Sequence, residues 1–164
     1  MQQKIFILTW SALFLFNCNT MKITGENIAA KAKTLDMGDQ KSSTLIARAW
    51  EALDRKAWLE VFAYTEKCLD MYGATAVKMN AELDDFAPKE KAHAYWALND
   101  CGTALFIMAN AYEKLEMLPE AVAAYKRLAQ DFTYCQCWDP KGWFWHPAEN
   151  AAAKADELEF LLEK

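Results

Sequence analysis

Apolar residues recur along this chain at intervals of three and four, the period of helices that bury one face. Leu45, Ile46, Ala49, Trp50 and Leu53 follow Ser42, Ser43 and Thr44, residues suited to cap a helix start. After a break at Asp54-Arg55-Lys56, a second stripe runs through Trp58, Val61, Phe62, Thr65, Cys68, Leu69 and Tyr72, with Gly73 expected to end it. Neither stripe can be buried alone, so the pair predicts an αα-hairpin. A weaker helix is expected over 74–86, carrying Ala76, Val77, Met79, Ala81, Leu83 and Phe86. Pro88 suits the first turn of the next helix, which runs through Ala92, Tyr95, Trp96, Leu105, Met108, Ala109 and Tyr112 to Leu115, unless Asn99-Asp100-Cys101-Gly102 divides it. Leu118-Pro119-Glu120 then turns the chain into another helix, and a last one is expected from about Pro147 to Leu162.

The first residues follow a different rule. Lys4 precedes an almost unbroken apolar run from Ile5 to Phe16. As a helix it would be roughly 18 Å long, short of the about 30 Å of a bilayer core. It reads as an export signal over residues 1–17, the alternative being a short buried helix. Leu15-Phe16-Asn17-Cys18 is similar to a bacterial lipobox, with Asn17 where a small residue is usual. Cys18 is therefore a candidate lipidation site, against an uncleaved anchor or an ordinary cleavage site. Residues 18–41 read as a tether with a helical turn or two over Ala29 to Leu35, broken at Met37-Gly38-Asp39, and 42–164 as the helical domain. The expected location is the cell envelope, periplasmic or lipid-anchored, with membrane contact only through that anchor.

Composition narrows the class. The 164 residues are 54% hydrophobic with five Gly and four Pro, enough for one core and too few breakers for a loop-rich β fold. The net charge is −5, no Lys/Arg run exceeds two, and where Lys clusters, as in Lys89-Glu90-Lys91, an acid sits inside it. A nucleic-acid binder needs a basic stripe, so that class is set aside. Cys68, Cys101, Cys135 and Cys137 allow three disulfide pairings or four buried thiols.

Leu105-x2-Met108-Ala109-x2-Tyr112 followed by Ala121-x3-Tyr125-x2-Leu128 is similar to the tetratricopeptide pattern. Small residues at Ala109 and Ala121 let two helices approach closely. The earlier hairpin fits more loosely through Leu45, Ala49, Val61, Thr65 and Cys68, departing at Arg48 and Ala52, and Thr133 stands near where the pattern closes on Pro. The resemblance implies an all-α fold, a short tetratricopeptide-like αα-hairpin solenoid with a C-terminal capping helix. It also implies a groove lined by the first helix of each hairpin. In the clearer unit that leaves Thr103, Phe106, Asn110, Glu113 and Lys114 for a protein or peptide partner. Some relatives clamp a C-terminal carboxylate there with Lys and Asn. Asn110 matches, but Phe106 occupies the Lys position. The expected function is a non-catalytic interaction scaffold.

The stretch from Tyr134 to Pro147 holds Trp138, Trp143, Trp145, Phe144 and Tyr134, punctuated by Pro140, Gly142 and Pro147. It reads either as a hydrophobic plug under the last helices or as a binding platform, with Asp139 and His146 as polar handles. Some short bacterial tetratricopeptide proteins look alike here. The platform would make the protein a carbohydrate- or wall-binding module. Cys135-x-Cys137 with His146 is half a zinc motif, so no metal is expected; a disulfide from Cys101 to Cys135 or Cys137 is the stronger reading. No nucleophile motif or Gly-rich phosphate loop is present, and no cofactor is expected. Asp84-Asp85 reads as a solvated face and Asp139 as a turn residue, leaving no acid pair for glycoside hydrolysis.

Overall fold

The computed structural model describes residues 22–139 and 141–164. The expected export signal and Cys18 lie outside the described residues. The helices are α1 (Gly25–Ala32), α2 (Ser42–Asp54), α3 (Trp58–Ala81), α4 (Trp96–Lys114), α5 (Leu118–Asp131) and α6 (Pro147–Leu162), with a 3-10 turn at Ala92–Tyr95 before α4. A two-stranded antiparallel ribbon, β1 (Cys137–Asp139) and β2 (Trp143–Trp145), joins α5 to α6. The fold is all-α with this one small sheet among the described residues.

Two hairpins make the frame, α2–α3 and α4–α5, and they turn in the same way. Lys56 and Glu116, sixty positions apart, are both left-handed, at φ 57° and 59°. The next N–H reaches back five residues in each, Ala57 to Ala52 O at 2.9 Å and Met117 to Tyr112 O at 2.9 Å. Lys56 N bonds Leu53 O and Glu116 N bonds Glu113 O, both at 3.0 Å. This is a Schellman closure, which satisfies carbonyls that a helix end would otherwise orphan. The small positions expected at the helix crossing, Ala109 and Ala121, have no solvent exposure, and neither does Ala49 in the first hairpin.

α3 packs on both α2 and α4, α5 on α4 and α6. α2, α4 and α6 follow one another on one face, and α3 and α5 back them. Phe62, Leu45, Leu98, Leu105, Leu128 and Phe132 are fully buried between the layers. Cys68 of α3 and Cys101 of α4 are fully buried free thiols.

Several expectations are corrected. Gly73 does not end α3; the helix continues to Ala81, because one helical glycine costs only about 1 kcal/mol and burial of Gly73 and Ala76 against neighbours outweighs it. The separate helix over 74–86 is therefore the end of α3. Asn99-Asp100-Cys101-Gly102 does not divide α4, and Pro88 opens a turn, its carbonyl accepting from Lys91 and Ala92, rather than the helix. The first helix lies at Gly25–Ala32, earlier than Ala29 to Leu35, capped by Thr24 Oγ1 and buried through Ile28. The connection after it is pinned rather than loose. Arg48 pairs with Asp36 at 2.9 Å, Tyr64 donates to Asp36 O and Tyr72 to Gln40 O. Arg48, a departure from the repeat pattern, thus ties this connection to α2.

Candidate functional site

Helix α4 presents one stripe, Trp96, Asn99, Asp100, Thr103, Phe106, Asn110 and Glu113, toward the open face. Apart from the adjacent pair Asn99 and Asp100, these residues are spaced by three or four, so helix geometry stacks them in a row. Two grooves open along that row.

The lower groove, of about 440 Å³, is lined by Phe106, Asn110 and Glu113 from α4, Tyr125 from α5, and Asn150, Ala153, Lys154 and Glu157 from α6. Three of the five residues expected to face a partner meet here. Phe106 is held by Tyr125 and Trp145 at ring-centroid distances of 6.4 and 4.9 Å. Asn110 Nδ2 donates to its own helix at Phe106 O, 2.8 Å. Glu113 receives Tyr125 Oη at 3.2 Å and pairs with Lys154 at 3.0 Å. Burial, the nearby Glu113 charge and that hydrogen bond push the Tyr125 phenol well above its ordinary range, so it stays a neutral donor. Lys114 is exposed beyond the groove and is not among its lining side chains.

The upper groove, of about 360 Å³, lies between α2, α4 and the ribbon. Trp50 and Ile46 line it from α2, Trp96, Asp100 and Thr103 from α4, Trp138 and Phe144 from the ribbon, and His93 from the turn before α4. Thr103 belongs here rather than with Phe106. It is buried, donates to Asn99 O at 2.8 Å and lies 2.7 Å from Cys137 Sγ. A depression of about 330 Å³ continues past Asp100 and Trp96 to Lys41, Ser42, Ser43 and Tyr72. Asp100 forms the floor. Ser42 Oγ, at the start of α2, donates to its Oδ2 at 2.5 Å. Burial raises the Asp100 carboxyl above its ordinary value, and the Ser42 hydrogen bond opposes that only in part. Ser42 therefore serves Asp100 and not as the cap expected from sequence; the capping position is Lys41.

The tryptophan-rich stretch divides its residues. Asn80 Oδ1 accepts from Tyr134 N at 3.0 Å and Asn99 Oδ1 from Gln136 N at 2.8 Å, stitching the approach to α3 and α4. Cys135 lies against Gly102, where any Cβ would stand 2.4 Å from its Sγ. Only glycine lets the chain pass so close to α4. In the ribbon, Trp138 opposes Phe144 and Asp139 opposes Trp143. Side chains alternate across strands, so Trp138 lies on one face and Trp143 and Trp145 on the other. Trp145 is tucked onto Phe106, while Trp138 and Trp143 are 48% and 50% exposed. The three indoles share no platform. Asp139 is a turn residue, as expected, accepting from Lys141 N at 2.7 Å. His146 stacks on Phe86 at 3.7 Å and pairs with Glu149 at 3.3 Å, a clip at the start of α6.

No disulfide joins Cys101 to Cys135 or Cys137; all four described cysteines are buried free thiols. Burial pushes the Cys137 thiol up to about 12 and the Cys135 thiol well above its ordinary value. Such thiols are packing groups, poor nucleophiles at neutral pH. A further depression of about 510 Å³ lies beside α2, but the Arg48 and Arg55 guanidinia along it are engaged by Asp36 and Glu60.

No family model matches the chain, and neither does any curated protein or solved structure.

Sequence reading missed the upper groove. Trp50 and Trp96 fit the packing stripes, and Asp100 looked like a helix breaker. The available signal was their shared row: Trp96, Asp100 and Thr103 are four and three residues apart on one helix face.

Proposed function

We propose that this protein is a non-catalytic, tetratricopeptide-like holder of an extended peptide segment, an interaction scaffold of the cell envelope. The observation that supports it is the α4 row from Trp96 to Glu113, which floors both grooves. At 1.5 Å per residue the row is about 26 Å long, the reach of about eight residues of extended chain. Its walls come from separate elements, α2 and the ribbon above, α5 and α6 below. Peptide recognition needs such a mixture, apolar faces for affinity and a few placed polar groups for register. On this reading Phe106, Asn110, Glu113, Tyr125 and Lys154 hold one half of the segment, and the aromatic groove holds the other. Export through residues 1–17 and lipidation at Cys18 would set it at the envelope.

The test is selection of binders from a displayed random dodecapeptide library, followed by mapping on the amide spectrum. Peptides should perturb α4 and α6, and Ala153→Arg, which fills the lower groove from an exposed position, should abolish their binding while preserving the melting temperature. Binders that map to the back of α3, or that ignore Ala153→Arg, would defeat the proposal.

The wall-glycan reading is favoured by one observation, the exposure of Trp138 and Trp143. Their opposite faces leave each indole to act singly. Binding of soluble glycan fragments that quenches Trp143 emission, and is lost in Trp143→Ala, would support that reading instead.

A further inference from the structure

The upper groove has a chemical character distinct from the lower one. Its walls are aromatic: Trp50, Trp96, Trp138 and Phe144, with Trp96 44% and Trp138 48% exposed. Trp138 and Phe144 meet edge to face at 5.1 Å, which fixes that wall. At the floor stands one carboxylate, Asp100, and among the described residues no cation pairs with it. Most neighbouring polar groups are already satisfied inside the protein. Asn99 donates to Ala92 O at 2.8 Å and accepts from Gln136 N. Thr103 is bound to Asn99 O and Cys137, and Ser42 to Asp100 itself. Lys41, at the far rim, is held by Asp39 at 2.8 Å. A sugar would require several free donors and acceptors, and here Ser43, Gln136 and His93 are what remains.

Aromatic faces beside a single unpaired carboxylate attract a flat cation. Ring faces carry negative potential, and a guanidinium is weakly hydrated, stacks on indoles and donates to carboxylate oxygens. Trp138 already has a cationic neighbour, the Lys89 ammonium at 5.9 Å from its centroid, and Lys89 is not among the groove-lining side chains. We propose that the groove between Trp50, Trp96, Trp138 and Asp100 is a pocket for an arginine side chain of the bound segment. The proposal rests on the peptide-holding reading. The guanidinium lies between the indoles and donates to Asp100, while the backbone of the segment continues toward Phe106.

The experiment titrates the purified protein with N-acetyl-arginine-N-methylamide and with its neutral citrulline counterpart, following tryptophan indole N–H signals. The arginine probe should shift Trp50, Trp96 and Trp138 and leave Trp143 in place. Affinity should fall about tenfold for citrulline and about tenfold in Asp100→Asn, the loss expected for a charge-assisted contact. Trp138→Ala, at an exposed position, supplies a second variant and should weaken the arginine probe alone. Equal binding of the two probes, or full binding in a folded Asp100→Asn protein, overturns the pocket. So does the absence of any shift. Library peptides that bind α4 and α6 with no preference for arginine over citrulline would remove this inference and leave the holder standing. Probe binding that requires Asp100, in a protein that selects no peptide, would do the reverse.

Discussion

The two hairpins are built alike and used differently. Their turns agree in dihedral angle and hydrogen bonds, and their crossing positions are buried apolar residues in both: Leu45 with Leu105, Ala49 with Ala109, Val61 with Ala121. They diverge where the side chain leaves the crossing. Ile46 and Trp50 in α2 correspond to Phe106 and Asn110 in α4, and Thr65 in α3 to Tyr125 in α5. The first hairpin closes on itself, with Thr65 donating back to Val61 O. The second points Tyr125 outward to Glu113 across the lower groove. A helix pair thus carries two separable demands, close approach at the crossing and chemistry on the open side.

The sharpest way to break the comparison is at its deepest matched pair, Leu128 and Cys68, both fully buried. Leu128→Ala should cost about 3 kcal/mol by urea denaturation, and Cys68→Ala about 1 kcal/mol, because less volume is lost. Equal losses would mean that the two sites are not packed alike. Gly102 tests what the second hairpin has and the first lacks, the close passage of Cys135. Gly102→Ala should cost about 2–3 kcal/mol and shift tryptophan emission, since the added Cβ displaces the approach to the ribbon. An unchanged melting curve would show that this passage is loose. Lys56→Gly and Glu116→Gly should each stabilise the protein by about 0.5–1 kcal/mol, and by matching amounts, since both relieve a left-handed side-chain residue.

The smallest effect concerns Asp36, which ties the first hairpin to the preceding connection. The Gly38 N–H, and then the Arg48 guanidinium, hold its carboxyl below the ordinary value of 3.8. With the folded value depressed, its contribution is present above pH 3.8 and lost as pH falls through the folded value. Asp36→Asn should therefore lower the melting temperature slightly at pH 7 and leave it unchanged near pH 2. A larger loss at low pH would contradict that sign.

Much of the fold is legible in sequence where the signal is local. The bounds of α2 and α6, the turn at Asp54-Arg55-Lys56 and the Pro119 start of α5 all follow from apolar period and breaker residues. Phe106, Asn110 and Glu113 line the lower groove, on the α4 face left after packing residues are removed. Gly73 misled because its cost is small beside the burial of a continued helix. The ribbon was missed because three residues per strand give too short an alternation to distinguish from a loop. The indoles of Trp138, Trp143 and Trp145 are equally apolar in sequence, and only strand register assigns them to opposite faces.

The sequence by itself determined what neighbours along the chain can decide: where helices begin, which stripe each must bury and where small residues permit contact. Tertiary structure alone decided that Ser42 meets Asp100, that Cys135 crosses Gly102 and that Trp50 and Trp138 line one groove with Asp100. Those meetings join residues 33 to 88 positions apart, and periodicity along one helix does not encode which face of a distant element will lie opposite it.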